Sequence, residues 1–190
     1  MPQSMKQIIQ RTRVFWGWEG ISERNFGGYL QLIANDMGIP LHFDREHNLI
    51  GGGDPLTVVQ QSVQVMLQSE RRRGKYKHRA VLLDTDRSED DQAKFVAAID
   101  LCRKHRIDLL LQRENHEAML CRHHEGHTNI RPSKSQSLRT LKRIWPDYEK
   151  SMSAQQLFAR FGVKPLDFLF EGEQEICGFL RKIGLPYRNK

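Results

Sequence analysis

The sequence predicts an α/β domain: a parallel four-stranded sheet flanked by helices, continued by a helical C-terminal part. Three observations predict it. Short apolar runs at 14–18, 80–83 and 107–111 have the length of buried strands and stop at turn or charged residues. Between them lie stretches whose apolar residues recur at helical spacing, and such alternation calls for parallel strands joined by helical crossovers. From about residue 134 only helical patterns remain. The 190 residues suit a single domain with a sizeable core, the C-terminal helices being its extension.

Taken in order, Val14 to Trp18 read as the first strand, ending at Glu19-Gly20. Ser22 is expected to cap a helix whose buried face carries Phe26, Tyr29, Leu30, Ile33 and Met37, and Gly38-Ile39-Pro40 stops it. Leu41 to Ile50 is the expected second strand, although its charged residues interrupt the alternation. Asp54-Pro55 then reads as an N-cap followed by proline in the first helical turn, with Leu56, Val59, Val63 and Leu67 on the apolar face. After the central strand Ala80–Leu83, a helix is expected from about Glu89 to His105 with Phe95, Val96, Ile99 and Leu101 as apolar residues, and Ile107–Leu111 is the fourth strand. Asn115 is placed to cap a helix toward His123 and His124, and Gly126–Ser137 reads as a polar loop. Further helices are expected at Leu138–Trp145, Ser153–Phe161 and Glu173–Ile183.

Composition narrows the function classes. A hydrophobic share of 38% and a charged share of 28% describe a globular chain. No apolar stretch approaches the roughly 18 residues a membrane span requires, and the N-terminus lacks the apolar segment of a secretory signal, so a cytoplasmic protein is expected. Cys102, Cys121 and Cys177 show neither disulfide nor C-x-x-C spacing and read as reduced thiols. The net charge of +7 favours an anionic partner, nucleic acid being the commonest. Arg71, Arg72, Arg73, Lys75 and Lys77 form the densest basic run and are the candidate nucleic-acid contacts. Arg139 to Arg143 and the tail Arg188-Asn189-Lys190 are the others, and a solvated helix end is the competing explanation of each run taken singly.

The candidate chemistry lies where strands end in acids. Asp84 and Asp86 follow the central strand and Glu19 follows the first; in a parallel sheet these ends share one edge, where open α/β sheets place their ligands. Three carboxylates there suit Mg2+ or Mn2+, since clustered like charges are unfavourable without a cation and hard divalent ions prefer oxygen ligands. A capping turn is the competing reading of Asp84-Thr85-Asp86. The glycine run Gly51–Gly53 matches no phosphate-loop pattern and serves equally as a flexible turn. His116, Cys121, His123, His124 and His127 crowd one stretch, but their spacing fits no common zinc module.

The motifs WEGISE, GGGDPL, LLDTDR, ENHEAMLCRH and WPDYEK, in that order over roughly residues 13 to 150, resemble the RloB-like family of Toprim-fold proteins found in prokaryotic defence loci. The resemblance implies a Toprim-like sheet and a metal-dependent nuclease acting on DNA or RNA, tRNA among the candidates, as an antiphage effector. The family's first acidic motif matches Glu19 and Glu23, its D-x-D motif Asp84 and Asp86, its Glu and His pair Glu117 and His123, and its Tyr-x-Lys motif Tyr148 and Lys150. His116, Met119 and Trp18 depart from the residues common in the family at those places. By this resemblance Glu19, Asp84 and Asp86 ligate the metal and Glu23 binds a second ion or orients water. His123 donates a proton, and Lys150 steadies the transition state. A separate ATPase sensor subunit is the implied partner, since the chain has no P-loop, and a homo-oligomer is compatible with it. The alternative is a non-catalytic scaffold subunit of a defence complex that binds nucleic acid or a partner protein.

Overall fold

The computed structural model describes residues 10–45, 53–85, 92–163 and 173–185. Among them, four strands and seven helices follow in the order β1 Thr12–Trp18, α1 Ile21–Asp36, β2 Leu41–Asp44, α2 Pro55–Arg73, β3 His78–Asp84, α3 Gln92–His105 and β4 Asp108–Gln112, then α4 His116–Arg122, α5 Lys134–Ile144, α6 Ala154–Phe161 and α7 Gln174–Lys182. The sheet is all parallel in the order β2-β1-β3-β4, consistent with a Toprim-like α/β fold.

Period-two alternation assigns each strand residue to one of two cores. Val14, Trp16, Trp18, Ala80, Leu82 and Leu110 face a core completed by α1 and the helices from α4 onward. Phe15, Val81 and Leu83 face the opposite core, built with α2 and α3. Gly17 lies on that second side because a Cβ there would meet Ser62 Oγ at 2.7 Å and Val81 Cγ2 at 2.8 Å. The chain first moves from β1 outward to β2, then crosses back to β3 and on to β4. Right-handed crossovers then require α1 on one face and α2 and α3 on the other, which is what the two cores record. The strand order therefore reverses direction between β1 and β3, the crevice at which open α/β sheets bind ligands.

Local sequence explains most element ends. Asp54 accepts from the Thr57 backbone N–H at 3.0 Å and Asn115 from that of Ala118 at 3.0 Å, capping α2 and α4. Ser153 and Gln156 form a reciprocal capping box at α6. Ser22 departs from its expected role: α1 is preceded by Gly20 with no side-chain cap, and the Ser22 hydroxyl instead donates to the Lys150 carbonyl at 2.9 Å. The strand β2 ends at Asp44, well short of Ile50, and residues 46–50 lie outside the described set, as do Gly51 and Gly52. Met37 and Val96 are exposed, so the buried stripes of α1 and α3 are narrower than their periodicity implies. The helix α2 buries Val58, Val59, Ser62, Val63 and Met66, a face rotated from the one expected. The start of α5 at Lys134 converts the end of the expected polar loop into helix. The C-terminal helices belong to the main core: Leu141, Leu157, Phe161 and Phe179 pack in one cluster with Trp16 and Phe26. No helix among the described residues is long and apolar enough to cross a membrane.

Candidate functional site at the carboxyl edge of the sheet

The β1–β3 ladder sets the geometry of the crevice. Trp18 pairs with Leu82, so Glu19 stands one residue beyond that rung on β1 and Asp84 two residues beyond it on β3. Asp84 is also level with Gln112 on β4. The turn that follows it is stitched to the β4–α4 connection, because Thr85 N–H donates to the Gln112 carbonyl at 3.0 Å and Glu114 N–H donates to Thr85 Oγ1 at 2.9 Å. Glu114 holds φ at 69°, a left-handed conformation that non-glycine residues adopt at some expense, and it does so beside the candidate site. Asp86, the second carboxylate of the motif, lies outside the described residues.

Glu23 is the centre of the acid group. It enters from the first turn of α1, where its carbonyl accepts from Trp16 Nε1 at 3.0 Å, and its carboxyl is buried. Burial raises its pKa to about 7; backbone hydrogen bonds at Glu23 and Gly20 oppose the shift, and the charges of Glu19 and Glu117 add to it. Glu19 after β1 and Glu117 on α4 are thus close enough for Glu23 on α1 to feel both, and that innermost carboxyl holds a proton near neutrality. A Cβ at Gly20 would stand 2.8 Å from Glu23 Oε2, so the glycine leaves room for that carboxyl.

The segment after α5 closes the site from the other side. Tyr148 is buried and hydrogen-bonded to Glu117 and Ser22; desolvation and then the charges of Glu117 and Glu23 push its hydroxyl far above its ordinary pKa. Lys150 Nζ lies 3.5 Å from Glu117 Oε1 with most of its side chain in solvent. The bond from Ser22 to the Lys150 carbonyl and one from Asn25 Nδ2 to the Met152 carbonyl, at 2.8 Å, strap this segment to α1. The Tyr-x-Lys and Glu motifs, distant in sequence, therefore meet.

Gln112 was not singled out by the sequence and His116 only as a member of the His/Cys stretch and a departure from the family pattern, yet the two back the acids. Gln112 Nε2 lies 2.7 Å from His116 Nδ1, and the same imidazole nitrogen stands 3.8 Å from Glu23 Oε1. Burial, then the charges of His123 and Lys150, lower the His116 pKa to about 3, so the ring is neutral and its Nδ1 accepts from the amide. For Gln112 the sequence signal was a glutamine closing the otherwise apolar run of β4.

His123 does not fit the expected proton donor. It is fully buried, with burial lowering its pKa to about 4, and Nδ1 lies 3.0 Å from the Met119 carbonyl. Its ring packs edge-on to Phe26 at 5.8 Å and against Phe161 at 5.5 Å. This is a core histidine between aromatic rings.

The basic run is not at this edge. Arg71 to Lys77 end α2 and lead into β3, and the Arg13 side chain near the start of β1 donates to the carbonyls of Arg73 and Gly74 at 2.8 and 2.7 Å. That places the run at the amino edge, away from the acids by the length of β3, roughly 20 Å for seven residues at the usual rise per strand residue.

Whether these residues suit a divalent cation divides into charge and geometry. In charge they do, because a cation would relieve the repulsion that Glu19 and Glu117 add to the burial that chiefly raises Glu23. In geometry, no group of three or more His, Cys, Asp or Glu side chains among the described residues is disposed to hold a metal; a set of Glu19, Asp84 and Asp86 needs the residue that lies outside them. No family model, curated protein or solved structure matches this chain.

Proposed function

We propose that this chain is a metal-dependent nuclease whose reaction centre is the crevice between the carboxyl ends of β1 and β3. The observation that carries the reading is the convergence of Glu19, Glu23 and Glu117 beside the Asp84 strand end, at the point where the strand order reverses. Glu19, Asp84 and Asp86 would hold Mg2+ or Mn2+, which supplies a nucleophile at neutral pH and neutralises charge on phosphate oxygens. The ammonium of Lys150, exposed beside Glu117, is available to a phosphate entering the crevice. Tyr148 fixes Glu117, and the Gln112–His116 pair backs Glu23. In the setting that the sequence resemblance implies, the protein is a cytoplasmic antiphage effector working with a separate ATPase.

The test is cleavage of plasmid, single-stranded DNA and total tRNA by purified protein with Mg2+ or Mn2+, with and without an ATPase encoded beside it. Wild type is compared with Asp84→Ala/Asp86→Ala. Metal-dependent cleavage that disappears in the double variant is the expected outcome, and equal cleavage by both would sink the assignment of the site. The second reading is a non-catalytic scaffold. It is favoured by the distance of the basic run from the acids. Thermal stabilisation by Mn2+ that Asp84→Ala abolishes decides against the scaffold.

A further inference from the structure

We propose that the amino edge of the sheet, opposite the acid crevice, is a separate surface for the phosphate backbone of nucleic acid, so that holding a strand and acting on it occur at different poles of the protein. The inference holds for a nuclease and for a scaffold alike.

Topology gathers the charge there. In an all-parallel sheet every crossover helix ends at the amino edge, and the last turns of α2 and α3 are both basic. The helix α7 runs back along β4, since Glu173 at its start accepts from Arg113 N–H after β4 and Lys182 at its end bonds Asp108 at the start of β4. Its basic last turn therefore reaches the same edge. Cations at helix C-termini are favourable to the helices themselves. That explanation does not reach Arg11, Lys75 and Lys77, which lie outside helices at this edge and are exposed.

Pairing shows which charges are in surplus. Most acids near this edge are engaged: Glu70 by Arg79 at 2.8 Å, Asp44 by Arg13 at 3.2 Å, Asp108 by Lys182 at 2.7 Å and Asp100 by Arg103 at 3.2 Å; Asp36, exposed at the end of α1, is the exception, with no ion pair among the described residues. Arg71, Arg72, Arg73, Lys75 and Lys77 are all exposed, and none makes an ion pair among the described residues. Arg11, Lys104 and Arg106 flank them in the same condition. His78 at the start of β3 registers the field, its pKa lowered by burial and then by Lys77 and Lys182.

The chemistry of the patch selects its occupant. A membrane surface asks for apolar side chains among the cations, whereas the one apolar residue in the run, Tyr76, is turned inward, its ring against Phe15 and its hydroxyl bonded to Asp44. Exposed guanidinium and ammonium groups without ion-pair partners, in a run whose one apolar residue is buried, suit a repeating phosphodiester, which binds through charge and counterion release and without sequence preference.

The experiment measures binding of the full chain to a fluorescein-labelled mixed-sequence DNA duplex, to tRNA, and to anionic vesicles containing phosphatidylserine. It is run in EDTA across a KCl series, so the result does not depend on cleavage. Wild type is compared with Arg71→Ala/Arg72→Ala/Arg73→Ala/Lys75→Ala/Lys77→Ala, with the α5 control Lys142→Ala/Arg143→Ala, and with Glu19→Gln at the other pole; thermal melting checks that each is folded. Binding to nucleic acid is expected to fall at least tenfold in the five-fold variant, with the log–log salt slope shallower by up to about 4.5, at roughly 0.9 per lost phosphate contact. Glu19→Gln and the α5 control are expected to retain most of the affinity, and the DNA and tRNA arms identify the preferred strand. No nucleic-acid binding by wild type, unchanged affinity in the five-fold variant, an equal loss in the α5 control, or binding confined to vesicles would each overturn the proposal.

Discussion

Glu23 is the residue at which burial and charge meet. A carboxyl whose folded pKa lies above its unfolded value takes up protons on folding. Its contribution is therefore fully present below about 4.5 and is lost as pH rises through about 7. Urea unfolding should show wild-type stability falling across that window by on the order of 2–3 kcal/mol from this group. In Glu23→Gln, which mimics the protonated form, that fall should flatten, and Mn2+ should reduce it in wild type; a persistent slope in the variant would assign it to another group. His123 is the converse case, a titratable residue whose surroundings leave it neutral. If it packs between Phe26 and Phe161 and does nothing else, His123→Phe should remain folded within about 1 kcal/mol, the scale of its one hydrogen bond to Met119. The variant should also keep whatever metal-dependent cleavage wild type has, and loss of cleavage with intact melting would restore the histidine to the reaction.

At the scale of elements, the site is held by ties between segments far apart in sequence. The α5–α6 connection reaches α1 through Ser22 and Asn25, and the Thr85 turn is tied to the β4–α4 loop. A further tie is ionic. Arg122, at the end of α4, and Glu173, just before α7, form a wholly buried pair; Arg122 also donates to the Arg113 carbonyl at 3.0 Å and Glu173 accepts from Arg113 N–H at 3.2 Å. Removing one partner strands the other charge in the core, so Arg122→Ala should lose about 3–5 kcal/mol in chemical denaturation. Arg122→Met with Glu173→Leu, which removes both charges and keeps volume, should recover most of it; equal destabilisation by the single and double changes would mean that packing and not charge is at issue.

At the scale of the whole molecule, the two cores and the two poles follow from one topology. Because α5, α6 and α7 complete the core under Trp16 and Phe26, a chain ending at residue 133 should show neither a cooperative melt nor native near-ultraviolet circular dichroism; a folded truncation would make the C-terminal helices a separate unit. The class of fold was legible in the sequence because helix lengths, caps at Asp54 and Asn115, and the apolar runs of β1, β3 and β4 are local properties. The acids at strand ends were legible for the same reason, since a parallel sheet puts all such ends on one edge. Where the basic run falls relative to those acids was not, because which edge a helix terminus reaches depends on the path of the chain across the sheet. Nor were the depth of His123, the turning of Ser22 from cap to strap, or the service of Gln112 and His116 behind Glu23. By itself the sequence determined the layered α/β architecture and the residue types gathered at the strand ends. Only the tertiary structure decided which of them meet, which are buried, and that the cations stand at the opposite pole, because burial and proximity between distant segments are properties of packing and not of spacing along the chain.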